Sequence, residues 1–257
     1  MYQQIIDKII KLGDSLPSLA GDIADIGKNK QWLTKKDIEI ETELKKLIST
    51  FSGNHSVYAE ELNDVFVKNE NVWIIDPISN TINFIHGLPH YSVVLSHLYQ
   101  GEVLFSVVYD PSNKELFTAE KGKGTFLNGN SVKVSNRTKD FIFLGPGLML
   151  PEPLNERALK ILSLISTQGS VRILGSLGVH YAYVACGRAD VAISFNKDTF
   201  PEFAGKLLVE EAGGKFTDFH DKPLTPTTYG VIATSGTTVH NEMRNLLSDY
   251  LISSRIE

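Results

Sequence analysis

The sequence is poor in the residues that would tie it to several large classes of protein. Cysteine occurs once, at Cys186, in 257 residues, so no internal disulfide can form and a disulfide-stapled scaffold is excluded. No apolar run reaches the roughly 18 to 20 residues that cross a bilayer, which argues against a helical membrane span. A basic excess is missing too. The 25 Lys and Arg stand against 30 Asp and Glu, a formal net charge of −5, so no broad cationic face offers itself to a nucleic-acid polymer. No basic-then-apolar leader opens the chain, and the expected compartment is the cytoplasm. What is present is an ordinary globular balance, 42% hydrophobic and 21% charged, over a length that buries one large core or two moderate ones. Small-molecule chemistry is the class that remains.

Periodicity divides the chain. Ile5, Ile6, Ile9, Ile10, Leu12 and Leu16 lie near helical spacing over residues 1–19, and Ile40, Leu44, Leu47 and Ile48 do so over residues 37–48. After the Ser-Gly-Asn-His break at 52–55 the pattern turns to strands, expected at 57–59, 72–75, 91–99, 103–109 and 116–119, with turns at Gln100-Gly101 and 110–113. A second unit begins after Asn136, where Gly145-Pro146-Gly147 and Pro151-Glu152-Pro153 punctuate the chain. There the spacing predicts helices at 155–166, 178–186, 203–212 and 240–251, and strands at 171–174, 191–195 and 231–234. The expectation is two subdomains, an α+β unit over 1–138 and an α/β unit over 139–257.

The most informative window is residues 72–84, in which an apolar strand ends at Asp76 and Pro77 follows. Proline cannot donate to a strand ladder, so Asp76 is expected at the strand mouth, where a carboxylate can hold a hard cation. Glu60 and Glu61 end another short strand. Paired acids suggest a metal, although acids after strands also serve as solvated turn residues or helix caps.

The same window resembles the signature of the inositol monophosphatase superfamily, the magnesium-dependent, lithium-sensitive phosphatases. Val108-Tyr109-Asp110-Pro111, Glu115-Leu116-Phe117-Thr118-Ala119, the stretch from Lys121 to Gly129, and Glu210-Glu211-Ala212-Gly213-Gly214 are similar to family segments in family order. The resemblance implies alternating layers of helix and sheet with the site between two subdomains. It also implies Mg²⁺ held by carboxylates, a small phosphorylated polyol, sugar or nucleotide as substrate, and a homodimer.

Carried over by position, the resemblance makes Glu60 and Asp76 metal ligands together with the carbonyl of Ile78. Thr81 becomes the residue that orients the attacking water, and Glu43 the acid that pairs with it. Ser79, Asn80, Thr81, Gly175 and Ser176 become the substrate contacts. Thr81 can also cap the helix that begins near Asn80, and Gly175-Ser176 can also be a plain strand-to-helix turn. Five positions depart from the pattern, one of them Glu43, a methylene longer than the aspartate that usually pairs with the threonine. Ser79 stands for the second signature acid, Asn80 for the glycine after it, Pro201 for the third acid, and Ser194 for a glutamate that serves substrate hydroxyls. A hydroxyl is a poor substitute for a carboxylate on a divalent ion, and proline offers no side-chain ligand. One Mg²⁺ is therefore expected in place and the second weakly held or lost, with Asp198 and Glu202 as possible replacements. Two functions follow: a phosphatase with impaired or altered catalysis, or a non-catalytic relative that binds a ligand or partner. His86, His90 and His180 have no ligand spacing and read as structural or surface residues, Cys186 as core, and Lys121-Gly122-Lys123-Gly124 as a hairpin turn in preference to a phosphate loop.

Overall fold

The computed structural model describes residues 1–27, 32–62, 65–66, 69–137, 139–145, 156–195 and 199–252, without the side chains of 156–158 and 248–252. Helices α1 (Tyr2–Gly13) and α2 (Lys35–Ile48) precede strands β1 (His55–Ala59) and β2 (Asn71–Ser79) and the short helix α3 (Thr81–Ile85). Strands β3 (Ser92–Tyr99), β4 (Glu102–Asp110), β5 (Glu115–Glu120), β6 (Gly124–Leu127) and β7 (Asn130–Val132) complete a seven-stranded sheet in order β1 to β7. Its β1–β2 pair is parallel and the others antiparallel. The remainder is β8 (Phe141–Leu144), α4 (Glu156–Ser166), β9 (Ser170–Arg172), α5 (Leu177–Ala185), β10 (Val191–Ser194), α6 (Thr199–Glu211), β11 (Lys215–Asp218), β12 (Val231–Thr234) and α7 (Thr237–Ile252). Their five strands form a second sheet in order β11-β12-β10-β8-β9.

Alternation along the strands builds five layers. Trp73 and Ile75 of β2 point to one face with Val93, Leu95, Phe105 and Val107, where they meet Ile5 and Ile9 of α1 and Ile40 and Leu44 of α2. Val72 and Ile74 point to the other, where Val94, Leu98, Val108 and Phe117 pack against α5 and α6. The same two helices bury Phe143, Ala192 and Ala233 of the second sheet. On that sheet's far face Ile142, Val191, Ile193 and Ile232 meet Ile161 and Ile165 of α4 and Met243 and Leu247 of α7. The order is helix, sheet, helix, sheet, helix, the alternating layering that the family resemblance implies. Gly205 lets α6 approach α5, since a Cβ there would lie 2.3 Å from the Tyr181 ring.

The structure corrects several local expectations. Pro77 does not end the ladder: β2 runs on to Ser79, with a register shift between Asp76 and Ser79 against β3. A bulge absorbs the residue that cannot donate. Strands β6, β7, β8 and β11 were not anticipated, and α6 begins at Thr199, four residues early. The segments at 146–155, with Pro146, Gly147 and Pro151-Glu152-Pro153, lie outside the described residues, as does Asp198.

Candidate active site

Parallel pairing of β1 with β2 sets the centre of the site. Ala59 lies opposite Ile75, and the Glu60 N–H continues the ladder to the Ile75 carbonyl at 3.2 Å, so Glu60, just past the end of β1, lies level with Asp76 inside β2. Asp76 is 3% exposed, and Ser79 and Ile78 beside it are buried; Glu60 is half-buried. Asn80 then adopts a left-handed conformation, φ 73° and ψ 63°, which asparagine tolerates better than most residues. That reversal starts α3, with the Asn80 side-chain oxygen accepting from the Asn83 N–H.

The carboxylate beside Thr81 is Asp37, not Glu43. The Thr81 hydroxyl lies 3.2 Å from Asp37 Oδ1 and 3.0 Å from the Ile78 carbonyl, and its single proton can serve one of them at a time. Glu43 lies six residues further along α2, about 240° round the helix, and pairs with Lys8 on the outer side. The legible signal for Asp37 was the capping box Thr34-Lys35-Lys36-Asp37. The structure forms it in full, with Thr34 as N-cap accepting from Lys36 N–H and Asp37 accepting from Thr34 N–H at 2.9 Å. Burial pushes the Asp37 carboxyl up to about 6, against hydrogen bonds from Thr34 and Thr81 that favour the charged form.

The second half of the chain supplies the opposite wall. The Leu174 carbonyl accepts from Asn83 Nδ2 at 2.8 Å and from Asn80 Nδ2 at 3.4 Å, and Ser176 Oγ lies 3.2 Å from Ser92 Oγ. Gly175 sits at φ +100°, and a Cβ there would fall 1.8 Å from Asn80 Nδ2. Gly175 therefore reaches the signature segment, where the asparagine at position 80 fills the space over the glycine, whereas Ser176 touches Ser92 at the start of β3.

The remaining departures are buried where they stand. Ser194 ends β10 and Pro201 lies in the first turn of α6. Glu202 is buried beside it, but among the described residues no three His, Cys, Asp or Glu side chains form a group able to hold a metal. Two carboxylates and a carbonyl suit one Mg²⁺, which keeps several of its waters and takes one or two carboxylates. Ser79 offers a neutral hydroxyl and Pro201 no side-chain ligand, a poorer set for a further divalent ion. His180 is buried and stacks on Phe143, with centroids 4.5 Å apart, and Cys186 is half-buried at the end of α5. The Lys121 to Gly124 segment is a hairpin turn whose Gly122 and Gly124 N–H groups both donate to Glu211 at 2.9 Å, so those amides are engaged by protein.

Comparison with known proteins gives the family. The model of the inositol monophosphatase family matches residues 5–251. The chain is 32% identical over 230 residues to a fructose-1,6-bisphosphatase/inositol-1-monophosphatase of Thermotoga maritima, covering 86% of this chain and 84% of that one. It is 33% identical over 198 residues to the Nus factor SuhB of Pseudomonas aeruginosa, covering 74% and 73%. A solved structure of a Thermotoga maritima IMPase superposes with a TM-score of 0.86 at 29% identity and 98% coverage of both chains. With a family model spanning nearly its whole length and a relative above 30% identity over most of it, the chain belongs to the inositol monophosphatase family.

Proposed function

We propose that this protein is a phosphomonoester hydrolase of reduced turnover, built around one divalent cation position. The observation that carries the reading is the conjunction of Glu60 just past β1, Asp76 level with it inside the parallel β2, and the Asp37–Thr81 pair beyond the end of β2. Glu60 and Asp76, with the Ile78 carbonyl, would hold the ion, and Mg²⁺ there supplies Lewis-acid polarisation and a more acidic bound water. Thr81 Oγ, donating to Asp37 Oδ1, is left with lone pairs that accept a hydrogen bond from the attacking water and so orient it. Ser79 and Asn80 on one side and Gly175 and Ser176 on the other form the walls for the phosphate and its alcohol. The substrate class is a small phosphorylated polyol, sugar or nucleotide. The glutamate that would favour inositol hydroxyls is absent at Ser194.

The division into subdomains 1–138 and 139–257, a homodimer and a cytoplasmic setting belong to the same proposal. Among the described residues no helix is long and apolar enough to cross a membrane.

The test is phosphate release from a panel of phosphomonoesters with Mg²⁺ or Mn²⁺. Asp76→Asn should lower it at least 100-fold, and release indifferent to that change rejects the enzyme reading. Lithium supplies a second check. The family's sensitivity is associated with the second metal position, so activity here should persist at lithium concentrations that inhibit a relative with all its acids. Inhibition at low concentration would mean that Ser79 and Pro201 still build that position.

A second reading, a non-catalytic relative that binds a ligand or partner, is favoured by the same two residues, because half of the metal countercharge is gone. The expectation that no nucleic-acid polymer binds rests on the net charge alone.

A further inference from the structure

Helix α2 buries a second carboxylate one turn beyond Asp37. Glu41 is fully buried, although a glutamate on an amphipathic helix ordinarily keeps its charge in water. Its carboxylate accepts from the Glu61 N–H at 3.0 Å and from the Leu62 N–H at 3.0 and 3.1 Å through its two oxygens. Glu61 and Leu62 are the residues that follow Glu60 as the chain leaves β1. Spacing of four places Asp37 and Glu41 on one face of the helix. That face thus grips both exits of the parallel strand pair: Asp37 holds Thr81 after β2, and Glu41 holds the backbone after β1.

We propose that Glu41 is a positioning residue for the cation site and sets the direction in which Glu60 leaves its strand. The inference rests on the reading of Glu60 and Asp76 as ligands and adds to it the device that orients one of them. Amides freed by the end of β1 need acceptors, and a carboxylate is the strongest one available to a pair of neighbouring N–H groups. Because these bonds go to backbone N–H groups, they fix the turn after Glu60. A glutamate at the end of an untethered loop would pay ordering entropy on each binding event, whereas here folding has already met that cost. Outer residues that orient ligands typically contribute 10- to 100-fold to metal affinity.

Glu41→Gln is the informative variant, because it keeps the volume but replaces one accepting oxygen with an amide donor that faces the Leu62 N–H. Mn²⁺ binding to the full-length protein, followed by paramagnetic resonance and calorimetry, should weaken about tenfold. Hydrogen exchange at the Glu61 and Leu62 amides should quicken in the same variant. Glu39→Gln, on the exposed face of α2, is the control and should move neither.

If exchange quickens while Mn²⁺ affinity equals the parent's, the positioning role is wrong and the cation site stands. Unchanged exchange in Glu41→Gln also overturns the proposal, because the contact would then not be made. If the unsubstituted protein takes up no Mn²⁺ that Asp76→Asn abolishes, the site reading itself fails and Glu41 has no ligand to position.

Discussion

Replacing Ser79 and Pro201 together by aspartate should raise the Mn²⁺ stoichiometry from one to two and increase phosphomonoester turnover by about 100-fold or more. The argument is one of countercharge. In the proposed site Glu60 and Asp76 would face one cation of charge two, and a second ion would add two positive charges with only shared Asp76 to meet them. Both altered positions are buried, so new carboxylates there would be poorly solvated and would bind an ion strongly once it arrived. Two ions together stabilise both the attacking and the leaving oxygen of an in-line displacement, which one ion does less well. The same burial makes the double variant unstable without metal, since uncompensated buried carboxylates cost several kcal/mol. Its melting temperature should therefore climb steeply with added Mn²⁺, by the linkage between binding and folding, while that of the parent climbs less. Lithium sensitivity should appear alongside the second ion. Two ions bound with no gain in turnover would show that the impairment lies elsewhere, with the Asn80 side chain over Gly175 the nearest suspect. No second ion at all would mean that α6 no longer presents position 201 to the cleft.

What could be read in advance followed the physics of each signal. Helices α1 and α2 were legible because their apolar residues repeat with one period over ten or so positions, and Trp73 to Ile75 and α5 because they are short, nearly continuous apolar runs. Strands β6, β7 and β11 were hidden because they are short, partly polar and tied to turn residues such as Asn128-Gly129 and Gly213-Gly214, and a four-residue strand gains its stability from neighbours that local sequence does not name. The pairing of Thr81 was misassigned for a related reason. Asp37 and Glu43 share a helix, and only the face each presents separates a buried partner from a surface salt bridge. The capping box carried that information locally, whereas the bond from Glu41 to the chain beyond Glu60 spans twenty residues and had no local signature. Continuation of β2 through Pro77 was likewise a property of the β3 register and not of the strand itself.

Stability should fall steeply between pH 6.5 and pH 4.5, because three buried imidazoles are held neutral. Burial pushes His97 down to about 4, His180 to about 3 and His240 to about 4. His97 is fixed between the Tyr2 hydroxyl at 2.9 Å and Asn71 Oδ1 at 3.3 Å, and it stacks on Trp73. His240 spans Thr234 and Thr217 at 3.1 and 2.9 Å, with neighbouring Lys215 disfavouring its charge. His180 lies against Phe143, and neither ring nitrogen has a hydrogen-bond partner among the described residues. In the unfolded chain each titrates near 6.5, so below that pH the unfolded state takes up protons that the folded state refuses, and stability drops as pH falls towards the folded values. At pH 5 each residue costs about 2 kcal/mol relative to pH 7.5. Asp37 works the other way. With a folded value near 6 it gains a proton in the native state first and returns about 1.4 kcal/mol at pH 5. The net loss of about 4 to 5 kcal/mol is a large share of the 5 to 15 kcal/mol that holds a typical domain together. Urea denaturation at pH 7.5, 6 and 5 measures it, and His180→Phe, which keeps a ring to stack on Phe143 and removes both unpartnered nitrogens, should flatten the profile by roughly 2 kcal/mol at pH 5. A midpoint unchanged between pH 7.5 and pH 5 would require that the imidazoles accept protons where they lie, and therefore that the layers around them open to water without unfolding.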